Sequence, residues 1–284
     1  MNIGVSSYSF RKYIIAEKCD YIKVCDLAKE FGFDGIEFTP LDDKSYGITE
    51  DALACAKEIR EHCEKIGLTI VAYTVGANLV GESGDAAVDK LFYDIDVAEA
   101  LGAKVLRHDV CFKLPGDHLY TYKDAIAEMV PRIRRVTEYA AAKGIRTCTE
   151  NHGYIFQAPE RVEELITAVN HPNYGWLCDM GNFLCVDADP AKAVEIAGPH
   201  VFHVHAKDFI YKDGSEPAPV GFFQTSGGNH IRGTVVGHGI VPVRKCVSIL
   251  KKAGYNGWLS VEFEGMEECL PGIKAGLDFL KTCI

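Results

Sequence analysis

Short runs of apolar residues alternate with longer segments of helical periodicity along the whole chain. The apolar runs have strand length, and the longer segments repeat apolar residues every three or four positions. We predict eight strands, at residues 2–9, 35–39, 69–75, 105–110, 145–151, 174–180, 200–207 and 258–264. We predict eight main helices, at residues 20–31, 49–66, 86–101, 121–143, 159–170, 190–197, 242–253 and 267–282. Strict alternation of strands and helices is typical of a parallel sheet with helical crossovers.

Five of these predicted helices end with a glycine shortly before the next strand: Gly32, Gly67, Gly102, Gly144 and Gly254. Glycine tolerates the left-handed conformation that closes a helix. Eight such units predict one α/β domain over residues 1–284, a closed (β/α)8 barrel. An open doubly wound sheet is the alternative, but no G-x-G-x-x-G follows the first strand.

The longest segment without a clear period covers residues 210–240. We predict that it is an inserted loop on the active-site face. A connection of this length usually serves as a lid or a substrate loop.

Charge, apolar content and cysteine pattern limit the classes of partner and the compartment that we expect for this protein. The 284 residues carry a net charge of −10, with no basic cluster, which argues against nucleic acid as a partner. No apolar run approaches the roughly 18 residues that a membrane span needs. Eleven cysteines without a C-x-x-C pair predict free thiols in a reducing compartment. Because the first ten residues also lack signal-peptide features, we expect a cytoplasmic protein.

Three carboxylates and one imidazole stand at the ends of the last four predicted strands: Glu150, Asp179, His205 and Glu262. Functional side chains of a barrel lie at these strand ends. Buried carboxylates need compensation, which a divalent cation supplies. Oxygen ligands with one imidazole suit Mn²⁺ first, with Mg²⁺, Co²⁺ or Zn²⁺ as alternatives. The competing interpretation is ordinary pairing of the carboxylates with lysine and arginine.

Other polar residues lie near the same strand ends. His152 follows Glu150 by two positions and therefore shares its face, which makes it a candidate base or substrate contact. His203, two positions before His205, is predicted to be structural. We predict substrate contacts from five further residues, with structural roles as the alternative: Glu37, His108, Lys207, Asp208 and Arg232.

Six motifs in order along nearly the whole chain resemble those of the sugar isomerase/epimerase superfamily of xylose-isomerase-like barrels. That group includes ketose 3-epimerases and inosose isomerases and dehydratases. The motifs are GFDGIEF (32–38), Glu-Asn-His (150–152), CDMGN (178–182), HVHAKD (203–208), G-x-G (237–239) and GYNGWLSVEFEG (254–265).

The resemblance implies that Glu150, Asp179, His205 and Glu262 bind one divalent metal, and that the two glutamates act as acid and base. It also implies proton abstraction next to the carbonyl of a small sugar or keto-sugar. A metal would stabilise the resulting enediolate, and the product would be an epimer or an isomer. Ketose 3-epimerases usually have a histidine three residues after this aspartate. Here Asn182 takes that position as a predicted substrate contact.

Two classes of alternative stay open. The first is a lyase, because catalytic subunits of C-glycoside deglycosidases cleave 3-oxo-glycosides by elimination and have a histidine close to the same glutamate. His152 fits that pattern, which would imply a small partner subunit; otherwise the chain could self-associate as a homo-oligomer. The second class comprises an apurinic-site endonuclease, which the acidic charge disfavours, and a non-catalytic binding barrel, which the full ligand set disfavours.

Overall fold

A computed structural model describes residues 1–44, 51–116 and 119–284. Eight parallel strands form a closed barrel, in which each strand pairs with its neighbours in chain order and the last returns to the first. The barrel strands are β1 (Asn2–Ser6), β2 (Gly35–Phe38), β3 (Thr69–Val75), β4 (Val105–His108), β5 (Arg146–Glu150), β6 (Tyr174–Asp179), β7 (Val201–Ala206) and β11 (Trp258–Val261). Three further strands, β8 (Asp208–Lys212), β9 (Phe223–Gln224) and β10 (His230–Thr234), lie between β7 and β11 in the chain and form a separate sheet. The predicted (β/α)8 barrel is therefore confirmed.

The helices surround the barrel and bury their apolar faces against it. In the described residues they are α1 (Arg11–Glu17), α2 (Tyr21–Phe31), α3 (Ala52–Ile66), α4 (Gly84–Leu101), α5 (Tyr122–Ala142), α6 (Pro159–Val169), α7 (Pro190–Ala197), α8 (Val243–Lys252) and α9 (Cys269–Lys281). The predicted start of α3 at residues 49–50 lies outside the described residues. The described part begins with Asp51, which caps the helix by accepting from Leu53 N and Ala54 N, both at 3.1 Å.

The five predicted helix-ending glycines all have positive φ angles, between 68° and 88°. This is the left-handed region in which other residues are strained. Each of these glycines thus adopts the left-handed conformation that was predicted to end its helix before the next strand. Within the part of the chain that the structure describes, no helix is long and apolar enough to cross a membrane.

The first strand is shorter than predicted. It ends at Ser6, and residues 7–10 form a 3₁₀ turn that leads into α1, which was not predicted. The turn is fixed by a long-range contact: Ser9 Oγ donates to Val261 O at 3.1 Å and accepts from Phe263 N at 2.8 Å. Because its partners are far away in sequence, the alternating pattern of residues 2–9 could not reveal the turn.

The sequence suggested an irregular segment at residues 210–240. The structure instead contains a three-stranded antiparallel sheet within residues 208–234. Its strands are β8, β9 and β10. Asp187 anchors this sheet, because it accepts hydrogen bonds from Thr225 Oγ1 at 2.9 Å, Gly227 N at 2.6 Å and Asn229 Nδ2 at 2.8 Å.

The structure corrects the prediction that Asp208 contacts substrate. Its side chain is fully buried, and Oδ2 accepts from Gly237 N and Gly239 N, both at 2.9 Å. Oδ1 accepts from Phe209 N at 2.9 Å and Val241 N at 3.0 Å. Asp208 therefore ties the loop after β10 to the start of β8, which leaves its carboxylate no free face.

We expect Asp208→Ala to lower the free energy of unfolding by about 3 kcal/mol or more, because buried N–H groups left without an acceptor each cost about 1–3 kcal/mol. Urea unfolding followed by circular dichroism would measure the loss. The control is Asp213→Ala, since Asp213 is exposed and accepts from Ser215 N. We expect the free energy of unfolding of Asp213→Ala to change by less than about 0.5 kcal/mol. Equal losses in both variants would contradict the structural role of Asp208.

Candidate active site

The four predicted metal ligands meet at the C-terminal mouth of the barrel. Glu150 ends β5, Asp179 ends β6, His205 is the penultimate residue of β7, and Glu262 directly follows β11. Asp179 and His205 are direct neighbours in the strand register, and Glu262 N donates to Ala206 O at 3.0 Å. One ligand atom from each of the four side chains lies within 4.8 Å of the others.

The imidazole of His205 has two different environments. Its Nδ1 faces the carboxylates, at 3.2 Å from Glu262 Oε2, 3.6 Å from Glu150 Oε1 and 3.9 Å from Asp179 Oδ2. Its Nε2 lies 2.6 Å from Glu37 Oε1. A carboxylate behind the ring keeps the proton on Nε2 and leaves the Nδ1 lone pair for a cation.

The four side chains fit a divalent cation. His205 Nδ1 is buried and makes no hydrogen bond, and Asp179 Oδ2 makes none beyond its ion pair with Lys207, although buried polar groups are nearly always hydrogen-bonded. Burial raises the pKa of Asp179 to about 7. Lys207 acts in the opposite direction and lowers this pKa, whereas the negative charges of Glu150 and Glu262 raise it further. Three hard carboxylate donors with one imidazole suit a divalent ion, which would hold all three in their charged form.

Two buried cations pair with the ligand glutamates. Arg107 Nη2 lies 2.6 Å from Glu150 Oε2, and Lys207 Nζ lies 2.7 Å from Glu262 Oε2. Lys207 Nζ is also 3.3 Å from Asp179 Oδ2. Burial alone would lower the pKa of Lys207, but Asp179 and Glu262 hold it well above the usual value. Arg107 is a site residue that the sequence analysis missed.

A second imidazole faces the cavity from the loop after β5. His152 Nδ1 donates to Asp109 Oδ1 at 2.9 Å, and Asp109 Oδ1 also accepts from Arg107 Nη2 at 2.7 Å. Burial lowers the pKa of His152, but the Asp109 carboxylate outweighs it and raises that pKa above the usual value. The side chain of His152 is 43% exposed, so the ring remains accessible from the cavity.

These groups line one cavity of about 260 Å³ at the mouth of the barrel. Its polar lining consists of Tyr8, Thr39, Asp43, Thr74, Arg107, Glu150, His152, His205, Lys207, Glu262 and Glu264. The arrangement places a candidate cation site, one exposed imidazole and two buried positive charges around a space for a small polar molecule.

Residues 25–283 match the sequence model of one protein family, which is described as the xylose isomerase-like TIM barrel. The chain belongs to this family. The family assignment agrees with the resemblance found in the sequence motifs.

Individual relatives of this xylose isomerase-like barrel are distant. The inosose dehydratase of Yersinia enterocolitica is 28% identical over 133 residues, which cover 45% of this chain and 44% of that enzyme. The matched stretches span 27–60% of the length of the curated relatives, all of which are dehydratases.

Two solved structures show the same fold over essentially the whole chain. The IolI protein with a bound zinc atom is 17% identical, with a TM-score of 0.75 over 100% of this chain and 98% of that one. The D-psicose 3-epimerase of Clostridium cellulolyticum H10 is 18% identical, with a TM-score of 0.74 over 100% of this chain and 99% of that one.

In this member of the family, Glu37 does not face the cavity, which corrects its predicted role as a substrate contact. It is fully buried, with Oε2 accepting from His203 Nε2 at 2.5 Å and Oε1 facing His205. Burial raises the pKa of Glu37, but the two imidazoles outweigh it and lower that pKa well below its usual value. His203 also contacts Ser260 Oγ at 3.1 Å and has the structural position predicted for it.

We expect Glu37→Gln to weaken metal binding about 10- to 100-fold, because groups that orient a ligand histidine have effects of this size. A competition titration with a metal chelator would measure the affinity. Asp94→Asn is the control: Asp94 is equally buried, and its carboxylate pairs with Lys90 outside the site. An unchanged affinity in Glu37→Gln would show that the carboxylate does not orient His205.

The structure also corrects the prediction for His108. Its ring is buried, its Nδ1 lies 2.9 Å from Asp109 O, and it packs on Tyr174 with 6.0 Å between ring centroids. Burial lowers the pKa of His108 to about 4. Because side chains alternate along a strand, Arg107 faces the barrel interior and His108 the helix layer. Applying this alternation to LRH would have identified Arg107 from the sequence.

The two remaining predicted substrate contacts, Asn182 and Arg232, lie in different places relative to the main cavity. Asn182 lies behind the ligands, where its Nδ2 donates to Glu150 Oε1 at 2.9 Å and its Oδ1 accepts from Lys207 Nζ at 3.2 Å. Arg232 lies outside the main cavity, with its guanidinium 5.6 Å from the centroid of the Phe222 ring and 3.6 Å from Glu267. Of the six predicted substrate contacts, Lys207 alone lines the main cavity.

Proposed function

We propose that this chain is a divalent-metal-dependent lyase. It would remove a proton from the carbon next to a carbonyl of a small sugar-like substrate and expel an oxygen substituent from the neighbouring carbon. The observation that carries the proposal is the pairing of His152 with Asp109 at the cavity. That imidazole is an exposed base at the cavity, whereas both ligand glutamates are paired with buried cations.

The metal would be held by Glu150, Asp179, His205 and Glu262, and when bound it would polarise the substrate carbonyl. We expect Mn²⁺ to be preferred, because three of the four donors are hard carboxylates; Mg²⁺, Co²⁺ and Zn²⁺ suit the same donors. The IolI protein, whose structure contains a bound zinc atom, is consistent with metal binding by a protein of this fold.

The protein's own residues account for the proton. His152 accepts it on Nε2, because Nδ1 is occupied by Asp109, and the Asp109 carboxylate stabilises the imidazolium that forms. Arg107 and Lys207 hold positive charge beside the oxygen on which negative charge develops. The imidazolium then returns the proton to the departing oxygen, so that one group serves as base and acid.

Epimerisation needs a base on each face of the carbon. The two glutamates that would supply them, Glu150 and Glu262, lie 2.6 Å from Arg107 and 2.7 Å from Lys207. Such pairing stabilises a carboxylate and makes it a weaker base. The inosose dehydratase among the relatives is an enzyme of the eliminating type by its name, which also supports the lyase.

The second candidate is the sugar isomerase or epimerase that the sequence motifs favoured. It is supported by one observation: Glu150 and Glu262 both line the cavity, from the ends of different strands. The D-psicose 3-epimerase among the structural neighbours is consistent with it.

Proton NMR in D₂O with added Mn²⁺ would separate the two. The panel would contain an inosose, 3-dehydroshikimate, a ketohexose and methyl 3-oxo-β-D-glucopyranoside. The lyase is expected to form a product with one more carbon–carbon double bond than its substrate, which changes the ultraviolet spectrum; loss of water from 3-dehydroshikimate would give an aromatic ring. Deuterium exchange with a saturated product would favour the epimerase. Absence of both exchange and metal binding would refute both candidates.

A further inference from the structure

A second cavity of about 470 Å³ adjoins the main cavity. The two cavities share Tyr8 and Glu264 as lining residues, so they meet at this pair. The second cavity lies between the start of α1, the β9–β10 hairpin and the loop after β11. We call it the side cavity.

The lining of the side cavity is unlike that of the main cavity. It includes four apolar side chains, Ile15, Phe223, Phe263 and Met266. Three of them expose much of their surface: Ile15 48%, Phe223 40% and Met266 54%. Exposed apolar side chains that converge on one concave surface indicate a binding site rather than ordinary surface.

The polar groups around the side cavity are mostly engaged. Lys12 Nζ donates to Gly265 O at 2.5 Å, and Arg232 lies near Glu267 at 3.6 Å and contacts Met266 Sδ at 3.7 Å. The Arg232 guanidinium also stacks near the Phe222 ring. With these charges occupied, the free surface that remains is mainly apolar.

Two glycines, Gly221 before β9 and Gly233 in β10, lie close against the loop after β11. A Cβ at Gly233 would lie 2.7 Å from Glu264 O, which is backbone and cannot move aside. Gly221 has a φ of +86°, and a Cβ there would lie 2.2 Å from Met266 Sδ. One wall of the side cavity is therefore a close backbone approach at Gly233 that a residue with a Cβ would disturb.

We propose that the side cavity binds an aromatic ring attached to the sugar-like part of the substrate. The inference rests on the proposed function, which places the polar part of the substrate beside the metal ligands. A group joined to that part would pass Tyr8 and Glu264 and enter the side cavity, where Phe223 and Met266 offer ring and thioether contacts. The chain would accordingly act on aryl glycosides or similar conjugates rather than on free monosaccharides.

Two matched ligands test the inference without turnover. The dissociation constants of phenyl and methyl β-D-glucopyranoside would be measured by protein-observed NMR in the presence of Mg²⁺, which is diamagnetic and suits the same donors. We expect the phenyl glycoside to bind about 10- to 100-fold more tightly, because burying a ring of this size has an effect of that order. We expect Met266→Ala and Ile15→Ser to lose most of the gain while binding methyl glycoside as the wild type does.

Ile240→Ala is the control, because Ile240 is 51% exposed and lines a different cavity. It should keep the preference for the phenyl ligand. Equal binding of the two glycosides by the wild type would overturn the side-cavity inference and leave the proposed function standing. If neither glycoside binds, the side-cavity inference is overturned, whereas the proposed function concerns substrates with a carbonyl and is tested separately by the NMR panel.

Two further results would contradict the proposal that the side cavity binds an aromatic ring of the substrate. A phenyl preference that survives both substitutions would place the ring elsewhere. A dimer in sedimentation that Ile15→Ser dissociates would assign the apolar surface to a second copy of the chain.

Discussion

Asp179→Asn is expected to abolish stoichiometric metal binding and to lower turnover by about three orders of magnitude, because the charge stabilisation that a catalytic metal supplies amounts to several kcal/mol. The substitution preserves shape. Asp179 Oδ1 accepts from Gly181 N at 2.7 Å and Asn182 N at 2.8 Å, contacts that an amide oxygen keeps. An amide nitrogen would then replace Oδ2, the atom that faces His205, and it would repel a cation.

Metal content would be measured by elemental analysis after dialysis, and turnover with the best substrate of the NMR panel. Asp94→Asn is again the control, since it removes a buried carboxylate outside the site and should bind metal normally. Thermal unfolding without metal would establish that Asp179→Asn is folded. Full turnover of the variant, or of the wild type after chelation, would refute the metal-dependent mechanism.

His152→Gln is expected to lower kcat by about 10²- to 10⁴-fold, the usual contribution of a general base. Metal content should not change, because His152 contacts Asp109 and is not one of the four clustered ligands. The substrate's polar part remains held by the metal and Lys207, so KM should change little. Single-turnover measurements of proton exchange would isolate the chemical step.

Asp109→Asn is the companion to this variant. An amide can donate to the imidazole and favour the wrong tautomer, so kcat should fall while metal binding is retained. His238→Gln is the matched control, because it removes an exposed imidazole from a loop outside the cavity lining. Wild-type exchange rates in His152→Gln would remove the imidazole from the mechanism and favour the two-glutamate epimerase.

The sequence by itself determined the barrel, because the information for it is local. Strand-length apolar runs, helical periods and glycines that end helices each depend on neighbouring residues. The juxtaposition of Glu150, Asp179, His205 and Glu262 followed from the same local information, since strand ends of a parallel barrel meet at one face. Strand alternation would also have pointed to Arg107 rather than His108.

Only the tertiary structure decided what surrounds those four side chains. Glu37 and His203 are 166 positions apart and meet behind His205, and Asp109 reaches His152 across 43 positions. The turn at Ser9 and the anchoring role of Asp208 likewise depend on distant backbone partners. Such contacts follow from the closure of the barrel and have no local period. The sequence could therefore predict which residues reach the mouth of the barrel, whereas the folded chain decided which of them face the cavity and which support it from behind.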